Sequence, residues 1–160
     1  MTETTLYARL TEQAAALTGG EKNILANLAN TAALLGGALP QINWAGFYLL
    51  DGGELVLGPF WGKPACLRIP LGRGVCGTAA RTGCVQRVAD VHAFPGHIAC
   101  DSASASEIVL PLRRDGRVIA VLDIDSPVPS RFSREDEDGL QSLAAVLESL
   151  DWTRCGYSLH

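Results

Sequence analysis

Four of the five cysteines, Cys66, Cys76, Cys84 and Cys100, fall between Pro64 and Glu107, together with His92 and His97. A thiolate is both a nucleophile and a metal ligand, and a nearby imidazolium or helix N-terminus lowers its pKa. Cys100 closes the run Gly96-His97-Ile98-Ala99-Cys100-Asp101, a glycine-containing loop beside a histidine. Cys66 and Cys76 lie on or beside strands and turns that can fold back on it. Such a set can supply an attacking thiol and partners that resolve its oxidised form as a disulfide. The plainer reading of any one cysteine is a small buried hydrophobe.

Three carboxylates form a second group. Asp123 and Asp125 interrupt an apolar run and, two residues apart, share one strand face. Glu107 opens the run that should pair with theirs. Residues 107 and 123 are equidistant from a turn at Asp115, so the two ends meet. Carboxylates brought together repel unless a cation binds or one stays protonated. They could hold a substrate ammonium while one donates a proton, or be a solvated strand end with Asp125 capping the turn. Trp44 and Tyr48 share a strand face opposite Phe47. Phe47 reads as core, and the other face as the lining of a pocket for an apolar or sulfonium-like methyl group.

Two alternative sites are weaker. Gly72-Arg73-Gly74-Val75-Cys76-Gly77 matches G-x-G-x-x-G, but a dinucleotide fingerprint needs a long helix and a second parallel strand. The helical space here ends at Gly83, so the glycines read as a tight strand-to-helix turn. His92, His97 and Cys100, with Asp90, carry ligand atoms for a metal. Zinc favours two close pairs, however, and only His97-x-x-Cys100 supplies one.

These residues need a scaffold. At 160 residues, 48% hydrophobic and 19% charged, the chain is expected to be one globular domain spanning residues 1–160. A net charge of −4 with no basic run argues against a nucleic-acid surface. The polar start MTETTLYARL is unlike a secretory leader, and no apolar run approaches a membrane span. A cytoplasmic protein is expected, in which an odd set of five cysteines is no structural disulfide framework.

The periodicity predicts helices over 5–18 and 21–35, the second ended by Gly36 and Gly37. Hairpin strands follow around Asp51-Gly52-Gly53, over 42–50 and 54–57. Short strands are expected at 67–70 and 85–88, with one or two helical turns over 74–81 between them. Residues 92–106 read as loop with a short helix. The clearest hairpin is 106–112 with 117–125, about a turn at Asp115-Gly116. Ser133, with Asp136 three residues on, caps a final helix over 134–150. The tail 153–160 shows no pattern. The sheet and active-site loops thus span 42–125. This order predicts an α+β fold, one mostly antiparallel β-sheet with helices packed on one face.

Taken together, NWAGFYLL, GPFWGKPACLRIPLGRGVCGTAA, QRVADVHAFPGHIACDSASASEIVLPL and VLDIDSP resemble the free methionine-(R)-sulfoxide reductases, small enzymes of the GAF fold. The resemblance covers roughly residues 20–150. It implies that Cys100 is the catalytic thiol, Cys66 the main resolving cysteine and Cys76 an additional redox-active one. It implies that Glu107, Asp123 and Asp125 bind the substrate and assist proton transfer, and that Trp44 and Tyr48 line the pocket, with Trp44 against the substrate methyl. Cys84 and Cys155 lie outside the three-cysteine pattern. The implied reaction reduces free L-methionine (R)-sulfoxide with electrons from thioredoxin. It uses no metal or organic cofactor, and the implied assembly is a homodimer. The competing class is a non-catalytic GAF sensor of a small ligand or of redox state.

Overall fold

The computed structural model describes residues 1–97 and 102–154. Cys100, expected to be the attacking thiol, and Cys155 lie outside the described residues. Six strands form one antiparallel sheet, β1 (Trp44–Asp51), β2 (Glu54–Gly62), β3 (Arg68–Pro70), β4 (Gln86–Val88), β5 (Ser106–Arg114) and β6 (Arg117–Ser126). Their spatial order is β3-β2-β1-β6-β5-β4. Four helices accompany them, α1 (Glu3–Thr18), α2 (Ile24–Ala38), α3 (Gly74–Thr82) and α4 (Arg134–Glu148). A single 3-10 turn spans Val91–Ala93.

The alternation of the central strands divides the molecule into two layers. Ala45 and Phe47 of β1, Ile108, Leu110 and Leu112 of β5, and Ala120, Leu122 and Ile124 of β6 face one way. They pack against Leu10 and Ala14 of α1, Leu28 and Leu35 of α2, and Leu140, Leu143 and Leu147 of α4. The opposite face carries Trp44, Tyr48, Val109 and Val121, covered by Val75, Cys76 and Ala79 of α3. Three helices thus share the face the sequence predicts, and the short α3 takes the other. That second face holds the site.

Caps explain where the helices begin. The Asn23 side chain accepts from the Ala26 amide at 3.1 Å, which starts α2 three residues later than its periodicity indicates. Ser133 and Asp136 form a reciprocal capping box on α4. Gly36 and Gly37 do not end α2, which runs on to Ala38. A Cβ on Gly36 would collide with the Trp61 ring, so this glycine lets β2 lie close against the helix. β2 is also longer than expected, because it continues to Gly62 to pair with Trp44.

The β5–β6 hairpin turns at Asp115 and Gly116, both at positive φ (52° and 76°). A bulge between Leu112 and Arg113 then shifts the register, so Glu107 faces Asp125 and Asp123 faces Val109. The expected opposition of Glu107 and Asp123 is therefore corrected. The offset is two residues, the side-chain period of a strand, so Glu107 remains on the same face as both aspartates.

Candidate active site

Five of the expected residues line one pocket with Tyr48, which stands beside Trp44 on β1. Cys76, Glu107, Asp123 and Asp125 form its inner wall, and Lys63, Arg73, His97 and Ser104 complete the rim. Gly46, between Trp44 and Tyr48, lets Phe60 and the Trp44 ring approach closely, since a Cβ there would lie 2.4 Å from Phe60 Cβ. That Cβ would also come within 2.8 Å of the Trp44 ring. The Trp44 ring stacks on Tyr48 at 6.0 Å and on Phe60 at 5.3 Å. These rings present an apolar and polarisable wall of a kind that suits a methyl group on electron-poor sulfur.

The polar ends of both rings serve a second purpose. Trp44 Nε1 donates to the Lys63 carbonyl at 3.1 Å, and the Tyr48 hydroxyl donates to the Cys66 carbonyl at 2.9 Å. The β2–β3 loop is thereby fastened to β1 on both sides of Ala65. Sequence reasoning finds the two aromatics but not this tether, because a backbone acceptor leaves no mark in residue identity. Burial, then the Asp123 charge, holds the Tyr48 phenol above its ordinary pKa, so it remains a donor. Cys66 itself is in a disulfide, while Cys76 and Cys84 are free thiols.

The acidic wall is buried. Glu107 and Asp123 are 8% and 5% exposed. Burial pushes the Glu107 carboxyl well up, helped by the Asp123 charge. Burial likewise raises Asp123, helped by Asp125. Such burial favours the protonated carboxyl, a form that can donate to a developing oxyanion. Cys76, on α3 rather than on a strand or turn, points into the cluster with its Sγ 3.9 Å from Glu107 Oε2. Burial first, then the charges of Asp123 and Glu107, push this thiol well up, so it stays protonated and is a poor attacking group.

The pocket lining also carries positive groups, Lys63 and Arg73. Gly74, Val75 and Cys76 are the first residues of α3 and line the cavity. Arg73, at the N-cap, makes no side-chain capping hydrogen bond, and the first turn of α3 carries no acidic residue. A helix N-terminus beside the Arg73 side chain favours an anionic group. The lining therefore combines acidic side chains with basic ones and a helix N-terminus, groups of both signs that a zwitterion needs. Arg73 and Lys63 escaped sequence reasoning as site residues. The only sign of Arg73 is its place in the glycine-rich turn, and Lys63 leaves none.

That turn is structural, as the glycines indicate. A Cβ on Gly77 would lie 2.5 Å from the Pro70 carbonyl, while the Gly72 amide donates to the Gly77 carbonyl at 2.8 Å. The described strand pairings are antiparallel, so the parallel strand of a dinucleotide site is missing among the described residues. His92 and His97 stack edge to face at 6.1 Å, but among the described residues they belong to no group with converging ligand atoms. Burial, then the charge of His92, lowers the His97 pKa.

The GAF domain family matches residues 4–149. The free methionine-R-sulfoxide reductase of Escherichia coli is 60% identical, over 94% of this chain and 91% of that one. The chain belongs to the free methionine-R-sulfoxide reductase family of GAF-domain proteins. The reductase of Saccharomyces cerevisiae is 45% identical, over 82% of this chain and 77% of the yeast protein. A crystal structure of the Neisseria meningitidis reductase in complex with its substrate superposes with a TM-score of 0.92. It is 47% identical and covers 96% of this chain and 93% of that one. Within this family the fold is α+β, with a six-stranded antiparallel sheet and four described helices. No described helix is long and apolar enough to cross a membrane.

Proposed function

We propose that this chain reduces free methionine-R-sulfoxide to methionine. The observation that carries the reading is the buried pair Glu107 and Asp123, which shares a pocket with a thiol and an aromatic wall. Two relatives that cover most of the chain bear the name of this activity, which supports the same conclusion.

A sulfoxide sulfur becomes electrophilic when its oxygen is protonated. Glu107 or Asp123 gives that proton, and the Cys100 thiolate attacks the sulfur. The S–O bond breaks, methionine leaves, and the oxygen passes to Cys100 as a sulfenic acid. Cys66 then attacks this sulfur, a disulfide forms and water departs. Two thiols are oxidised for each sulfoxide reduced, and a thioredoxin-type dithiol returns the pair to its thiols. The disulfide at Cys66 is compatible with that resolving role. Cys76 is the auxiliary redox cysteine, reached by exchange after Cys66. The cycle needs no metal or organic cofactor.

Selectivity for the free amino acid follows from charge. Glu107, Asp123 and Asp125 take the α-ammonium, and Arg73 with the α3 N-terminus takes the α-carboxylate. A methionine inside a peptide has neither charge. Trp44 receives the methyl and Tyr48 closes the floor. The working species is proposed to be a cytoplasmic homodimer.

The test follows consumption of the separated R and S epimers of free methionine sulfoxide with thioredoxin, its reductase and NADPH. Wild type and Cys100→Ser are run side by side. Turnover of the R epimer alone, lost in the variant, is expected. Failure of reduced wild type to consume either epimer, even stoichiometrically, would overturn the reading in favour of a ligand-binding GAF module.

A further inference from the structure

We infer that Cys76, Glu107 and Asp123 form a site for a thiophilic divalent cation of the zinc and cadmium type. One ligand atom from each residue, Sγ and two carboxylate oxygens, lies within 4.8 Å of the others. The three residues are 5%, 8% and 5% exposed. They come from three elements, α3, β5 and β6, and converge at the back of the pocket.

A second observation points to an occupant. Asp123 Oδ1 is buried and has no hydrogen-bond partner among the described residues. Burying such an atom without a partner is unfavourable, and a bound cation would satisfy it. The donor set decides which cation. One thiolate and two carboxylates suit zinc or cadmium, whereas magnesium and calcium prefer oxygen alone. Sulfur and two oxygens make a three-ligand set with a fourth position open to the pocket, where water would sit. Binding converts the Cys76 S–H into a metal–sulfur bond and releases the proton to solvent.

The cation would stand where the α-ammonium of the substrate is placed above, so metal and substrate exclude one another. That consequence rests on the proposed function, while the site itself does not. The protein would be switched off by free zinc through the auxiliary thiol Cys76 and the acidic wall, with the attacking thiol untouched.

The test titrates the disulfide form of the full chain with Cd2+ and Zn2+ in the absence of reductant. Stoichiometry is read by calorimetry, and sulfur ligation by the thiolate-to-cadmium charge-transfer absorbance. One cation per chain is expected, with a charge-transfer band that is retained in Cys84→Ser and lost in Cys76→Ser. Asp123→Asn should weaken binding at least tenfold, and Mg2+ and Ca2+ should produce no heat. Absence of the band in wild type, or its survival in Cys76→Ser, overturns the site. If Cys76→Ser fails to fold, Glu107→Gln and Asp123→Asn carry the same test, and unchanged affinity in both overturns it. Added methionine sulfoxide should weaken Cd2+ binding. A metal site that ignores it would refute the shared position and the placement of the ammonium, not the metal site.

Discussion

The Tyr48 hydroxyl donates to the backbone carbonyl of Cys66 at 2.9 Å, so a residue of the pocket floor also holds the loop that carries the proposed resolving cysteine. The first chemical step and the second thereby depend on one side chain in different ways. Tyr48→Phe keeps the ring against Trp44 and removes only the tether. We expect the single-turnover burst of methionine to survive within a few-fold. Disulfide formation should slow about fivefold, the scale of one hydrogen bond at ~1 kcal/mol. Trapping the sulfenic acid during a single turnover reads the difference. An unslowed second step with a collapsed burst would show that Tyr48 serves the substrate alone.

Glu107 is the carboxyl whose oxygen approaches the Cys76 thiol, and burial raises its pKa and so favours its protonated form. Glu107→Gln retains shape and a hydrogen-bond donor but has no acid to transfer. Methionine formation should fall by roughly 10²–10⁴, the usual contribution of a positioned acid. Rapid-quench measurement of the first turnover checks this. A loss confined to KM would move the proton donor to Asp123 and leave Glu107 as a binding group.

The sequence reveals the strands and helices because their periods are strong, and it reveals Trp44, Tyr48, Glu107, Asp123 and Asp125 because alternation assigns them to faces. The hairpin register is harder to read. The turn is centred between Asp115 and Gly116 rather than on Asp115, and the bulge at Leu112 and Arg113, which has no side-chain signature, adds one more residue; together they move Glu107 from Asp123 to Asp125. Gly36 illustrates the reverse difficulty. A glycine pair reads as a helix end, while here it answers to the Trp61 ring from a distant strand. The tether of Tyr48 to Cys66 and the approach of Arg73 to the pocket depend on tertiary contacts that no local pattern records.

The acidic wall also predicts a pH dependence of stability. Glu107 and Asp123 have folded pKa values above their ordinary ones, burial being the main cause for each. Between the ordinary and the raised values the folded chain holds protons that the unfolded chain has released. Stability therefore falls as pH rises through that window. Asp123→Asn removes its share, so the melting temperature of the variant relative to wild type should increase from about pH 4 to about pH 8. Thermal unfolding across that range is the measurement. A constant difference would mean that Asp123 is not held protonated by burial.

Asp136 gives the opposite sign at the far side of the fold. Burial pushes its carboxyl up, but the Ser133 backbone amide, the Tyr7 hydroxyl and the Arg131 guanidinium outweigh this and hold it below the ordinary range. Tyr7 donates to Asp136 Oδ1 at 2.6 Å, and Arg131 reaches Oδ2 at 3.0 Å. One side chain thus joins α1, α4 and the segment after β6. The Arg131 and Asp136 side chains are 9% and 2% exposed, so removing one partner strands a buried charge. Asp136→Ala should destabilise by roughly 3–5 kcal/mol, whereas Tyr7→Phe should cost about 1–2 kcal/mol. The contribution of Asp136 is present above its ordinary pKa and is lost as pH falls through the lowered folded value. Urea unfolding near neutral pH and again in acid should therefore show the gap between wild type and Asp136→Ala closing in acid. A gap that persists below the pKa of the folded carboxyl would mean that packing, not charge, sets its size.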